Sequence, residues 1–291
     1  MFNFMKFRPF FYLFSGTLIL ISAFSIIKWG FRPSIDFAGG SVWQITFSRN
    51  ISEKDIAKVF SEDHVPLESW NLSGKTYTLK FKNITVEDKS VLQNGLVKLD
   101  NQAIEQSFET LGPSLGKELL NKTITAIILS AICLLVFIST RFSDYSFGVG
   151  AIVSMLHDGF ILIGAFSLLG HFFGAELDAL FVTALLTTLS ASVHDTVVTF
   201  DRMRELRRKN FHLDWVTLAN QAVSEVIVRS LNTSMTVIFM LTAMVLLGGS
   251  TTKWFSLALL IGVICGVYSS TGIAIPTVLF IKNSQQKKSA K

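Results

Sequence analysis

The chain has 291 residues, of which 50% are hydrophobic, 26 are Phe and only 16% are charged; soluble domains carry about a quarter charged residues, so an ordinary soluble enzyme is excluded and a membrane protein is indicated. The formal net charge of +5 is no nucleic-acid footprint, because the basic residues fall mainly in loops and at the ends. Cys133 and Cys265 both lie within apolar runs, which excludes a disulfide framework and reads as two small buried hydrophobes.

The first apolar run, near residues 10–29, is long, is preceded only by Lys6 and Arg8, and ends in Lys28, Trp29 and Gly30 with no small-x-small site. It is expected to stay as an anchor and not to be cleaved as a signal peptide. The segment 31–121 reads as a domain. Ser41–Ser48 alternates Trp43, Ile45 and Phe47 against Val42, Gln44 and Thr46, as a strand does. Ser52 with Asp55 predicts a helix start, and Leu67–Leu72 and Lys75–Lys82 flank a Ser73-Gly74 turn. Thr85 caps a second helix through Leu99, and Ala103–Glu109 supplies a last strand. Strand–helix–strand–strand–helix–strand is the split βαβ, ferredoxin-like order.

Five further apolar runs follow near 122–140, 146–167, 177–200, 226–248 and 254–281. All six are long enough for about 30 Å of hydrocarbon. The third holds His157-Asp158, with Ser154 on the face of Asp158. The fourth places Ala184, Thr188, Ala191 and Asp195 on one small, polar face, with His194 beside the carboxylate. Asp214 caps an amphipathic stretch, Trp215 to Val226, that reads either as a helix on the membrane surface or as a linker. In the fifth run Asn232, Thr233 and Thr236 share the face of Arg229; the sixth offers Gly262 and Gly266 for close packing, then Ser269 and Ser270.

Short-loop basic residues set the orientation. Lys6 and Arg8, Arg141, the group Arg202 to Lys209, and Lys282, Lys287, Lys288 and Lys291 share one side, so both termini are expected to be cytoplasmic. The fold expected is an α-helical membrane protein of six transmembrane helices, with an α+β ferredoxin-like extracytoplasmic domain between the first and second. Its parts are 1–30 (N-terminus and first span), 31–121 (outer domain), 122–281 (five-helix bundle) and 282–291 (basic tail).

An ionised side chain in hydrocarbon costs about 2.5–3.5 kcal/mol on insertion scales, so Asp195 and Arg229 are functional candidates. Asp195 can be neutralised by a proton and Arg229 cannot lose one; a switchable carboxylate facing a permanent cation is the minimum needed to couple ion movement to shape. Two intramembrane aspartates also raise an aspartyl protease, and two His-Asp dipeptides a metal site. The Gly-x-Gly-Asp context of such proteases is absent around both carboxylates, and adjacent helix residues point about 100° apart. Neither an enzyme nor a metal or cofactor site is therefore expected, and Asp158 reads either as a residue that tunes the polar seam or as a helix-packing hydrogen bonder.

Ser34-Ile35-Asp36-Phe37-Ala38-Gly39-Gly40 resembles the "IDFxGG" signature of the SecF family of protein-export membrane subunits. Leu111-Gly112-Pro113-Ser114-Leu115-Gly116 is similar to that family's "GPSLG" element, and the segments from Asp195 through Arg204-Glu205 and from Arg229 to Ser234 resemble its fourth and fifth spans. His194 departs from the usual "SxND" context. The resemblance implies an accessory subunit of the Sec translocase, of the resistance-nodulation-division type, that uses a proton or sodium gradient in the cytoplasmic (inner) membrane to assist preprotein export. It implies ion coupling by Asp195 and Arg229, and the polar residues read above, Asp158, His194, Thr188, Asn232, Thr233 and Ser269, are candidates to support them. Asp36, Phe37, Gly39, Gly40, Gly112 and Pro113 would form a junction between membrane and domain, either as a hinge or as a tight turn. The implied partners are a SecD-like subunit, the SecYEG channel, unfolded preproteins and the lipid bilayer, with no nucleic acid. Alternatives are a scaffold that binds translocating chains without ion coupling, and a small-molecule exporter of the same superfamily.

Overall fold

The computed structural model describes residues 3–63, 65–142 and 144–289; Lys291 of the basic tail lies outside them. The chain divides into two compact units, 33–125 and 1–32 with 126–291.

The smaller unit runs α2 (Ile35–Ala38), β1 (Gly40–Thr46), α3 (Glu53–Glu62), β2 (Leu67–Ser73), β3 (Thr76–Phe81), α4 (Val86–Leu99) and β4 (Ile104–Leu111). Its strands form one antiparallel sheet in the order β2-β3-β1-β4. Strand alternation puts Trp43, Ile45 and Phe47 on the face covered by α3 and α4, where they pack with Ile56, Phe60 and Leu92. Thr85 and Asp88 make a reciprocal capping box at the start of α4, satisfying two otherwise orphaned N–H groups. Beyond its end, Asp100 accepts hydrogen bonds from Ser48 N, Ser48 Oγ and Gln102 N at 2.6, 2.7 and 3.0 Å. Those bonds, led by the Ser48 hydroxyl, hold its carboxyl down at about 2. The β2–β3 hairpin turns through Gly74-Lys75, one residue later than Ser73-Gly74, because Ser73 still pairs with Thr76 and Gly74 takes the positive φ (65°) that a two-residue turn needs.

The larger unit holds α1 (Arg8–Trp29), the rest of α5 (Pro113–Arg141), α6 (Tyr145–Phe173), α7 (Ala179–Lys209), α8 (Trp215–Leu247) and α9 (Ser250–Ser269). α9 continues through a five-residue π-helical turn, Ser270–Ala274, into α10 (Ile275–Ser289). Six helices are long and apolar enough to cross a membrane, α9 and α10 counting as one rod. α6, α7 and that rod make the buried centre, with α1 on α6 and α8 on α7 and α9. Small residues set the approach: a Cβ on Gly164 would fall 2.1 Å from that of Ser22, and Ser25 donates to Ser167 at 3.0 Å. At the end rich in Lys and Arg, ion pairs Arg141–Asp201, Arg202–Glu225 and Lys282–Asp144 tie α5 to α7, α7 to α8, and α10 to the start of α6.

Two further sequence readings change. Trp215 to Val226 is neither a surface helix nor a linker but the first turns of α8, with Leu218, Ala219 and Ala222 wholly buried; the apolar face that suggested a membrane surface is packed in the bundle core. Cys265 is buried, but Cys133 is exposed, since the helix that carries it, α5, shows a wide apolar face outward.

Candidate functional site

Asp158 lies wholly buried near the middle of α6. A group that polar is retained inside only when hydrogen-bonded. Ser269 Oγ donates to its Oδ2 at 2.7 Å, and Ser154 Oγ donates in turn to Ser269 Oγ at 3.0 Å. Its Oδ1 lies 2.9 Å from Nδ1 of His157, whose Nε2 lies 3.1 Å from the Tyr268 hydroxyl. The neutral tautomer consistent with both contacts is Nδ1–H to the carboxylate with Nε2 accepting from Tyr268. Although successive helix residues diverge by about 100°, the His157 and Asp158 side chains do meet.

On α7 the inward face is Ala184, Thr188, Ser192 and Asp195, not the expected line through Ala191, which is exposed. Ser192 sits four residues after Thr188 and three before Asp195, so the helical period alone could have found it. The face packs against α9: a Cβ on Gly262 would fall 2.1 Å from Thr188 Oγ1, and one on Gly266 would lie 3.8 Å from Ser192 Cα and 4.0 Å from Asp158 Oδ2. Asp195 is half-buried and within electrostatic reach of Asp158 and His194. His194 itself is exposed. Thr183, Thr187, Thr196 and Thr199 return their hydroxyls to the carbonyl four residues back; the buried hydroxyls of Thr188 and Ser192 have no hydrogen-bond partner among the described residues.

Arg229 does not pair with Asp195. Among the described residues no ion pair joins them. The guanidinium belongs to an open groove lined also by Val198, Arg202, Glu205 and Glu225. Val198 shares this groove with Arg229, so Asp195, three residues along, sits about 4.5 Å deeper on α7. Asn232, Thr233 and Thr236 do share the face of Arg229, but that face is exposed and does not line the seam. Periodicity says which residues share a face; it does not say which way the face points.

In the smaller unit the two glycine-containing motifs meet. Ser34 Oγ caps α2 by accepting from Asp36 N at 3.2 Å, and Gly39 and Gly40 follow at φ of 75° and 128°. A Cβ on Gly39 would sit 2.8 Å from Pro113 Cα, and one on Gly116 would sit 2.9 Å from Gly39 N and 3.2 Å from the Phe37 carbonyl. Residues more than seventy positions apart are thus packed backbone to backbone, which only glycine allows. Gly112 has no such close neighbour.

The sequence pattern of the family described as protein export membrane protein SecD/SecF, C-terminal, matches residues 91–284. The protein translocase subunit SecF of Thermobaculum terrenum is 36% identical over 93% of this chain and 90% of its own, and that of Synechocystis sp. is 36% identical over 89% and 88%. The crystal structure of SecDF, a translocon-associated membrane protein from Thermus thermophilus, superposes with a TM-score of 0.86 at 28% identity, covering 97% of this chain; the chain spans 39% of that longer one. With six apolar helices, a buried polar seam between α6, α7 and α9, a family pattern over residues 91–284 and relatives 36% identical over most of its length, this chain belongs to the SecD/SecF family of protein-export membrane proteins.

Proposed function

We propose that the chain is an accessory subunit of the Sec translocase that converts an ion gradient, of protons or sodium, into movement assisting preprotein export. The observation that carries this is Asp195, half-buried on the inward face of α7 within electrostatic reach of the buried Asp158, with Arg229 in the groove that Val198 of the same helix lines and in no ion pair among the described residues. A carboxylate there changes charge when it binds a cation, and Arg229 is placed to swing toward it when it is ionised. One elementary charge crossing about 100 mV supplies about 2.3 kcal/mol, enough to shift a two-state equilibrium by tens-fold. No covalent chemistry is required of the protein, and it acts as a transporter subunit and not as an enzyme.

The orientation follows from the basic residues: both termini cytoplasmic in the inner membrane, the 33–125 unit outside. The order βαββαβ and the sheet order β2-β3-β1-β4 support the ferredoxin-like plan for that unit. The Gly39–Pro113 and Gly116–Gly39 contacts pack the two glycine-containing motifs against one another within the 33–125 unit, the unit that engages emerging preprotein beyond the SecYEG channel. The exposed stripe Arg229, Asn232, Thr233 and Thr236 supports a SecD-like partner, because polar and charged groups are not left facing lipid. The test is ion flux in vesicles holding the chain with that partner, wild type against Asp195→Asn, at varied pH and sodium. Loss of gradient-driven flux and of export stimulation, with assembly intact, is expected; unchanged export would leave a scaffold that binds chains without coupling.

A further inference from the structure

We propose that Asp158 is a second proton-holding carboxylate in series with Asp195, loaded through Tyr268 and His157 and joined to Asp195 across the gap beside Gly266. The proposal rests on the ion-coupling reading above and names the ion and its route.

Three independent features meet at this point. The first is a hydrogen-bonded chain ending in a cavity. A cavity of about 180 Å³ is lined by Phe11, Thr199, Val223, Ser230, Tyr268 and Ser270. Tyr268, one of its lining residues, has its hydroxyl 3.1 Å from His157 Nε2, and His157 Nδ1 lies 2.9 Å from Asp158 Oδ1. An imidazole bonded at both nitrogens takes a proton on one and releases it from the other. A hydronium in the cavity protonates the Tyr268 oxygen and is left as water. Tyr268 gives its own proton to Nε2, and the ring passes its Nδ1 proton to Asp158, ending as the other neutral tautomer. One proton has moved, and one carboxylate has been neutralised.

The second feature is the orphaned pair on α7. Thr188 and Ser192 are 3% and 1% exposed, and their hydroxyl oxygens have no partner. Leaving such a group unsatisfied costs about 1–3 kcal/mol, and the two buried threonines that follow on α7, Thr196 and Thr199, avoid that cost by bonding their own backbone. Ser192 stands on the Asp195 face, across from Gly266, where a Cβ would lie 3.8 Å from Ser192 Cα and 4.0 Å from Asp158 Oδ2. Its hydroxyl both donates and accepts, as a step between two carboxylates must. The third feature is the π-helical turn that begins directly after Ser269. Such turns are rare and occur frequently at functional sites; here it follows the two α9 residues, Tyr268 and Ser269, that hold His157 and Asp158.

The groups in electrostatic contact with Asp158 are His157 beside it, Asp195 from α7, and Cys265 and Tyr268 from α9. No Lys or Arg among the described residues pairs with it. The buried site therefore has no permanent cation to hold its charge, and a proton is the simplest counter-charge that fits.

The test uses the full chain with its SecD-like partner in lipid vesicles, read by infrared spectroscopy and by ion flux. Wild type is expected to show a protonated carboxyl band that titrates with pH and is lost in Asp158→Asn but kept in Asp195→Asn. Proton flux is expected to fall about a hundredfold in Asp158→Asn and in His157→Gln. Gly266→Ala gives a variant that folds, since its Cβ makes only ordinary contacts at 3.8 and 4.0 Å; it is expected to keep the band and lose flux. If flux requires Asp195 but is untouched in Asp158→Asn and Gly266→Ala, the series arrangement is overturned while the coupling reading stands. Flux that ignores pH and follows sodium, or the absence of any band assignable to Asp158 across the pH range, overturns the proton assignment. If Asp195→Asn leaves flux intact, the coupling reading itself fails, and the series arrangement fails with it.

Discussion

α5 and α8 are both mostly exposed, yet their outer faces differ. α5 presents Ile124, Ile128, Leu129, Ile132, Val136 and Phe137, an apolar surface throughout its middle. α8 presents Val228, Leu231, Phe239 and Met240 interrupted by Arg229, Asn232, Thr233 and Thr236. Lipid tails accept the first surface and penalise the second, because a bilayer offers a guanidinium or a carboxamide no hydrogen-bonding partner. Two helices equally bare in the isolated chain therefore have different neighbours in the membrane: lipid for α5, protein or a water-filled groove for α8.

The largest effect that could break this contrast comes from adding charge. Leu129 is 60% exposed at the centre of α5, and Leu129→Arg is expected to cost about 2.5–3.5 kcal/mol of insertion free energy. Thr236→Arg, two turns from Arg229 on the exposed face of α8, should cost much less, because that face already accommodates a cation. Comparing the fraction of each variant correctly inserted, by accessibility mapping of the loops, decides it. Equal losses at the two positions would mean that both faces meet hydrocarbon.

A smaller effect sharpens the same contrast from the partner's side. Replacing Arg229, Asn232 and Thr233 together by Leu is expected to weaken association with the SecD-like subunit by about 2 kcal/mol or more, over tenfold in affinity, as loss of an interface hot spot does. Replacing Ile128, Leu129 and Ile132 by Ala on α5 should leave association unchanged. Copurification of the partner at graded concentrations reads both, and a loss confined to the α5 variant would reverse the assignment.

The contrast also marks where sequence reasoning reaches its limit. Hydropathy placed six spans, and alternation with capping residues placed the strands and helices of the 33–125 unit to within a residue or two, because local physics alone sets those features. Asp158, Ser154 and Ser269 were recognisable as polar residues in apolar runs, but their joining depends on α6 meeting α9, a tertiary fact. Tyr268 and Ser192 went unnoticed since neither is costly enough alone to stand out; each becomes informative only beside Asp158 and Gly266. The Arg229 stripe was legible as a stripe and misread as to direction, since both faces of α8 hold apolar residues and nothing in its own period says which one the bundle buries.

The smallest expected effect separates the membrane contrast from the stability of the other unit. Asp100, held at about 2 by the Ser48 hydroxyl and the Gln102 and Ser48 amides, has a folded value below the ordinary 3.8. Its contribution is therefore fully present above about pH 4 and is lost as pH falls through about 2. Amide exchange on the full chain should show Ser48 and Gln102 losing protection in that window, while Asp100→Asn removes the pH dependence and leaves them weakly protected throughout. Asp100 is no part of the α8 stripe, so association through that stripe should not follow this transition. Should partner binding fall in step with the Asp100 titration, the 33–125 unit and not the α8 face would be holding the two subunits together.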